Sequence, residues 1–216
     1  MPDHAVIGYV HPGTVRAEFC ASLISTVMEG STSLDAVLTY ASGPNISTAR
    51  NKITDEFLRC QQAPWLLMCD TDMVFAADAL DRLIAAADPA TRPLLGALCF
   101  SPAAGDVRPT MYELVERDGV PAFTHLTTWP EDACVQVTAT GTGFLLMHRT
   151  ALETIRAATG NVSAPWFQET PVSSPLSLMG EDMTFCLRAA AAGIPVHVHT
   201  GVQVGHMKPQ MLGKVT

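Results

Sequence analysis

Trp65-Leu66-Leu67-Met68-Cys69 is an unbroken apolar run, bounded by Pro64 on one side and by Asp70-Thr71-Asp72 on the other. A run this short and this apolar, with no polar alternation, is expected to form a strand covered on both faces. Such strands belong to mostly parallel sheets with helices on either side. Open α/β sheets gather ligands beyond the carboxyl ends of their strands. Asp70 and Asp72 are therefore expected at a crevice, close to one small volume. Two neighbouring carboxylates suit a divalent cation between them, Mg²⁺ or Mn²⁺ by ligand type, and such a cation can grip a diphosphate. A strand followed by a solvated acidic turn is the plain alternative.

The residues before and after this run repeat the pattern. Ala5 to Val10 reads as a strand, and Thr14 to Met28 has helical spacing with Phe19, Leu23, Ile24 and Val27 on one face. Ala36 to Tyr40 reads as a second strand. Ser42-Gly43-Pro44-Asn45 is a turn, from which Asn45 or Ser47 can cap a helix reaching Cys60, with Ile53, Phe57 and Leu58 inward. After the central run, a helix over 77–87 buries Leu80, Leu83 and Ile84, and Pro93 to Phe100 is a fourth strand. Strands alternating with helices predict right-handed β-α-β units and a parallel sheet.

The character changes after residue 100. Thr110 to Glu116 and Val120 to Leu126 flank Arg117-Asp118-Gly119 and read as a hairpin. Cys134 to Thr138 is a candidate edge strand. Gly141-Thr142-Gly143 leads into an apolar strand ending at His148, followed by a helix from Thr150 to Ala158. Residues 160–179 read as a polar loop carrying Trp166, Phe167 and Gln168. A helix over Glu181 to Ala192 stops at Gly193, and Val196 to Val204 is strand-like. The expected organisation is one α/β domain over 1–216, with a nucleotide-binding half (1–100) and an acceptor and catalytic half (101–216).

Composition limits the function classes. A chain of 216 residues with 48% hydrophobic and 16% charged residues is long enough to bury a sizeable core. Its formal net charge of −8 disfavours a broad nucleic-acid footprint, which needs a basic face. The six cysteines stand singly, without Cys-x-x-Cys spacing, and read as small core hydrophobes rather than zinc ligands. No run approaches a membrane span, and Met1-Pro2-Asp3-His4 has no basic leader, so a soluble cytoplasmic protein is the expectation.

Three other segments carry candidate chemistry. Gly180-Glu181-Asp182 opens a helix, where acids suit the dipole and where a carboxylate can also serve as a general base. His206, after the last strand, can join two carboxylates around Mn²⁺. Arg50, in Ser47-Thr48-Ala49-Arg50-Asn51, can neutralise a phosphate or fix a carboxylate, or simply lie on the solvated face of its helix.

In order and spacing, Arg50-Asn51, Asp70-Thr71-Asp72, Gly141-Thr142-Gly143-Phe144, Gly180-Glu181-Asp182 and Gly205-His206 resemble glycosyltransferases of the GT-A fold, family-two-like, over nearly the whole chain. The resemblance implies a mixed, mostly parallel sheet flanked by helices, with a nucleotide-diphosphate sugar lying over the sheet edge. It implies that Ile7, Gly8 and the His11-Pro12-Gly13 turn flank the base, and that Arg50 and Asn51 lie near the nucleotide. Asp70, with Thr71 beside it, would approach the ribose or sugar. Asp72 would hold Mn²⁺ or Mg²⁺, with Asp70 and His206 completing the metal shell. Gly141, Thr142 and Gly143 would wall donor from acceptor. Asp182 would be the base of an inverting transfer to an acceptor hydroxyl, oriented by Glu181. Trp166 is a candidate for stacking on the acceptor or sugar, or for packing its loop onto the core. An acceptor is not specified: protein, glycan, small molecule or modified nucleic acid all fit. Two other readings stand beside this one. The first is a phosphatase with an aspartyl nucleophile, since Asp70-Thr71-Asp72-Met73-Val74 fits its strand-end pattern, although its late lysine could only be Lys208 or Lys214. The second is a non-catalytic nucleotide-sugar or glycan-binding protein.

Overall fold

The computed structural model describes residues 4–208 except 30, 104, 118, 161, 175 and 176. Asp118 of the expected hairpin turn and Lys214 lie outside the described residues.

The chain begins with β1 (Ala5–His11), α1 (Ala17–Met28), β2 (Leu34–Ala41), α2 (Ile46–Cys60) and β3 (Trp65–Asp70). It continues with β4 (Met73–Val74), α3 (Ala79–Ala86), β5 (Leu94–Ala103), β6 (Asp106–Pro109), β7 (Met111–Arg117), β8 (Val120–His125), β9 (Cys134–Val137) and β10 (Ala139–Thr140). It closes with β11 (Phe144–His148), α4 (Arg149–Thr159), β12 (Thr170–Ser174), β13 (Ser177–Met179), α5 (Glu181–Ala191) and β14 (Val196–His206).

The main sheet has the order β2-β1-β3-β11-β5-β14-β4, with β6 on β5 and β9 on β14. Its β2-β1-β3 part is parallel, as is the β5–β14 pair. β11 is inserted antiparallel between β3 and β5, so these two strands do not neighbour each other as successive β-α-β units would have them. That insertion has a consequence for the site. An antiparallel strand starts where its neighbour ends, so the glycine segment before β11 lies at the end of β3 that carries Asp70.

Side chains along β3 alternate between two cores. Leu66 and Met68 face Val6, Ile53, Phe57, Leu152 and Phe185, on the side of α2, α4 and α5. Trp65, Leu67 and Cys69 face Ile7, Phe19, Leu80 and Leu83, on the side of α1 and α3. Every residue from Trp65 to Cys69 is buried, as a run without polar alternation requires. Gly8 in β1 allows close packing of α2: a Cβ there would meet Ile53 Cγ2 at 2.4 Å.

Asn45 caps α2, its Oδ1 accepting from the Thr48 N–H at 3.1 Å. Gly193, at φ +74°, ends α5 as expected. α1 departs from its expected face. Phe19 is buried, but Ile24 and Val27 are 60% and 55% exposed, and the buried positions one turn apart are Ser22 and Thr26. Hydroxyls suit those positions because each has a partner: Ser22 Oγ accepts from Phe75 N, and Thr26 Oγ1 donates to Ser22 O. The segment expected to be a loop over 160–179 contains the small β12–β13 hairpin. Trp166 packs into the core at 2% exposure, with Nε1 donating to Leu152 O, which favours the loop-packing reading over acceptor stacking. Among the described residues no helix is long and apolar enough to cross a membrane.

Candidate active site

β3 delivers Asp70 and, after one residue, Asp72 to the edge of the sheet. β4 then pairs with the end of β14, with Met73 opposite His206 and Val74 opposite Gly205. The Met207 N–H closes this junction on Asp72 O at 2.8 Å. The Asp72 side chain is thereby placed beside His206, whose Nε2 lies 3.2 Å from Oδ2. His206 Nδ1 is 2.9 Å from the Phe100 carbonyl oxygen, which can only accept. Nδ1 therefore carries a proton, and in the neutral ring the Nε2 lone pair is aimed at the carboxylate. Two facing acceptors of this kind call for a proton or a cation between them. Lys208 Nζ donates to the same Oδ2 at 2.8 Å. Burial pushes the Asp72 carboxyl up, but its bonds to His206 and Lys208 prevail and hold it at about 2.

Asp70 is held differently. Arg50, 1% exposed, gives NH2 to both Asp70 oxygens, at 2.8 and 3.0 Å. Its NH1 donates to Glu181 Oε1 at 2.6 Å and to Asp182 Oδ1 at 2.7 Å. One guanidinium thus joins three carboxylates from β3 and the first turn of α5. Burial alone would favour loss of the Arg50 proton, and the surrounding Asp70, Asp182 and Glu181 charges reverse that tendency. The solvated-face alternative for Arg50 does not hold, because α2 turns this position inward together with Ile53 and Phe57. Arg50 engages both Asp70 oxygens, and among the described residues no three His, Cys, Asp or Glu side chains gather as a ligand set. Asp72 and His206 form a two-residue pair that fits a divalent cation, with an anionic ligand left to supply further oxygens.

Asp182 Oδ1 also accepts from the Thr142 hydroxyl, so among the described residues its two side-chain donors converge on one oxygen. Oδ2 is left toward Gly141, where a Cβ would sit 3.8 Å away. Glu181 is pushed up by burial and then by its negative neighbour Asp182, against the pull of Arg50. Gly143 O accepts from the Asp70 N–H at 2.9 Å, which ties the glycine segment to the end of β3. A Cβ at Gly143 would stand 2.4 Å from Met73 Cε.

Two cavities flank Asp70. One of about 650 Å³ is lined by Pro12, Arg16, Thr71, Asp72 and Lys208. The other, of about 170 Å³, is lined by Tyr112, Gly141, Gly143, Asp182 and His206. Gly8 and Asn51 take other places. Gly8 is buried against α2, and the Asn51 amide donates to Ser47 O and Phe167 O at 2.7 Å while accepting from the Trp166 N–H. Asn51 thereby pins the 166–167 backbone. His11 Nδ1 accepts from the Gly13 N–H and shapes the turn after β1.

Sequence reading missed Arg16, Tyr112 and Lys208 as cavity residues. Lys208 had a signal, since it stands two positions after the candidate ligand His206. Tyr112 had none, because the hairpin carrying it is recognisable from its turn and not from where it folds back.

No protein-family model matches the chain, and no curated protein matches it in sequence. Solved structures do. A crystal structure of A197 from STIV superposes with a TM-score of 0.64 at 15% identity, over 95% of this chain and 86% of that one. A crystal structure of GalNAc-T7 with UDP, GalNAc and Mn²⁺ also gives a TM-score of 0.64, at 10% identity. That match covers 96% of this chain and 43% of the longer one. With the mixed sheet, the flanking helices and the near-complete coverage together, the chain has the GT-A fold.

Proposed function

We propose that this chain is a nucleotide-sugar glycosyltransferase that inverts the anomeric centre, with Asp182 as base. The observation that carries the reading is the division of labour around Asp70. Asp72 and His206 converge at the sheet edge, and Asp182, held through Oδ1, borders the small cavity that His206 also lines.

Asp72 and His206 would hold Mn²⁺ or Mg²⁺, whose charge would offset that developing on the leaving diphosphate. The larger cavity, with Arg16 and Lys208 on its lining, would take the nucleotide part of the donor. Arg50 fixes Asp70 and Asp182 relative to each other. As the acceptor oxygen forms its bond to the anomeric carbon, the bond to the diphosphate oxygen breaks and the acceptor proton passes to Asp182 Oδ2. Glu181 orients Asp182 through their shared Arg50 donor.

The aspartyl-phosphatase alternative needs a free nucleophile, whereas both Asp70 oxygens are engaged by Arg50. The test is donor binding followed by turnover. Nucleotide sugars screened by thermal shift should give a Mn²⁺-dependent rise, about 2.7 kcal/mol at a hundred times the dissociation constant. Asp72→Asn should remove that dependence, and Asp182→Asn should keep donor binding and lose transfer. Equal Mn²⁺-dependent donor affinity in wild type and Asp72→Asn refutes the metal assignment, and full turnover by Asp182→Asn refutes the base.

A further inference from the structure

Asp72 Oδ2, the oxygen that faces His206 Nε2, is already in contact with a cation of the chain itself. Lys208 Nζ is 2.8 Å away. A lysine ammonium and a divalent ion cannot both sit against one carboxylate oxygen, because their charges repel at that range. The contact is one that can open. The Lys208 side chain is 43% exposed and that of Asp72 27%, and Lys208 lines the larger cavity together with Arg16.

We propose that Lys208 is a tethered competitor for the divalent cation at Asp72, withdrawing into the adjoining cavity when the ion arrives. The inference rests on the reading of Asp72 and His206 as the cation-holding pair. In the cavity the displaced ammonium meets whatever anionic group the ligand presents. An anion that binds Lys208 there frees the Asp72 carboxylate, so anion and cation raise each other's affinity by the same factor. Lys208 thus couples the two without touching the reacting carbon.

The test uses Mn²⁺ alone, titrated into the full chain and followed calorimetrically. Lys208→Met should bind Mn²⁺ about fivefold tighter than wild type, the factor set by releasing a part-exposed ion pair. Lys208→Arg should restore the wild-type value. Arg16→Met removes the same charge from the same cavity without touching Asp72, and should leave the affinity close to wild type. Equal affinity in Lys208→Met and wild type overturns the proposal, and so does an Arg16→Met effect as large as that of Lys208→Met. Absence of Mn²⁺ binding in every variant overturns the Asp72–His206 pair and Lys208's role with it. The expected Mn²⁺ series combined with failure of every nucleotide sugar would sink the transferase reading alone.

Discussion

Arg50→Met leaves three carboxylates around a neutral side chain of similar length. The guanidinium is almost wholly buried, whereas the Asp70, Glu181 and Asp182 side chains are 24%, 15% and 30% exposed. Removing one partner of a buried ion pair costs about 3–5 kcal/mol, because the remaining charge is stranded. Here three acids are stranded, but each can draw water or a proton, so the same range applies. With a urea m-value of about 2 kcal/mol/M, the unfolding midpoint should fall by about 1.5–2.5 M at neutral pH. The sign of the pH dependence follows from linkage. Without Arg50, Glu181, already pushed up by burial and by Asp182, loses the charge that pulls it down. Carboxylates of that kind support the fold below the unfolded pKa, and the support is lost as pH rises through the folded value. The stability gap between wild type and variant should therefore narrow as the pH falls into the carboxylate range. Urea melts of both proteins across that range decide the matter. A gap below about 1 kcal/mol at neutral pH, typical of exposed pairs, or one that does not change with pH, would show that Arg50 does not hold the cluster together.

Other outcomes follow from the same geometry. Glu181 is raised by burial and by Asp182, so its ionisation weakens the fold as pH climbs through its folded value; Glu181→Gln should gain stability over wild type at neutral pH and lose the advantage in acid, as read from thermal melts. Gly8→Ala should cost about 1–3 kcal/mol, since its Cβ would overlap Ile53 Cγ2 in a packed core, and a wild-type melting temperature would refute that contact. Gly143→Ala meets the flexible end of Met73 and comes within 3.2 Å of Asp70 Oδ2, and should melt near wild type while lowering transfer through the narrowed small cavity. Trp166→Ala should cost about 3–5 kcal/mol, the range for a buried Trp in a core; an unchanged melt with altered acceptor KM would restore the stacking role.

Much of the framework was readable because it follows from periodicity and punctuation. The apolar run at Trp65 to Cys69, the Asn45 cap and the Gly193 stop each signal through a few adjacent residues, and each appears in the structure. What escaped depends on contacts between distant segments. Arg50 on its own helix reads equally as fixing a carboxylate, binding phosphate or lying in solvent, and only the arrival of Glu181 and Asp182 decides for the first. Ser22 and Thr26 replace Ile24 and Val27 on the inner face of α1 because the Phe75 amide and the helix carbonyl of Ser22 satisfy them. The antiparallel placement of β11 has no local signature, since an apolar strand reads the same in either direction.

That placement also bears on how the protein is made. When β3 leaves the ribosome, β1 can pair with one of its edges, but the other edge has to wait for β11. Until Phe144 to His148 has been synthesised, Leu66, Leu67 and Met68 lie along an open strand beside an apolar sheet face, the arrangement most prone to pairing with another chain. The carboxylates around Arg50 come together later still, because Asp182 follows β11. Truncated or slowly translated chains should accordingly aggregate in preference to forming a stable half, and a chaperone's demand for this protein should fall sharply once β11 has been added.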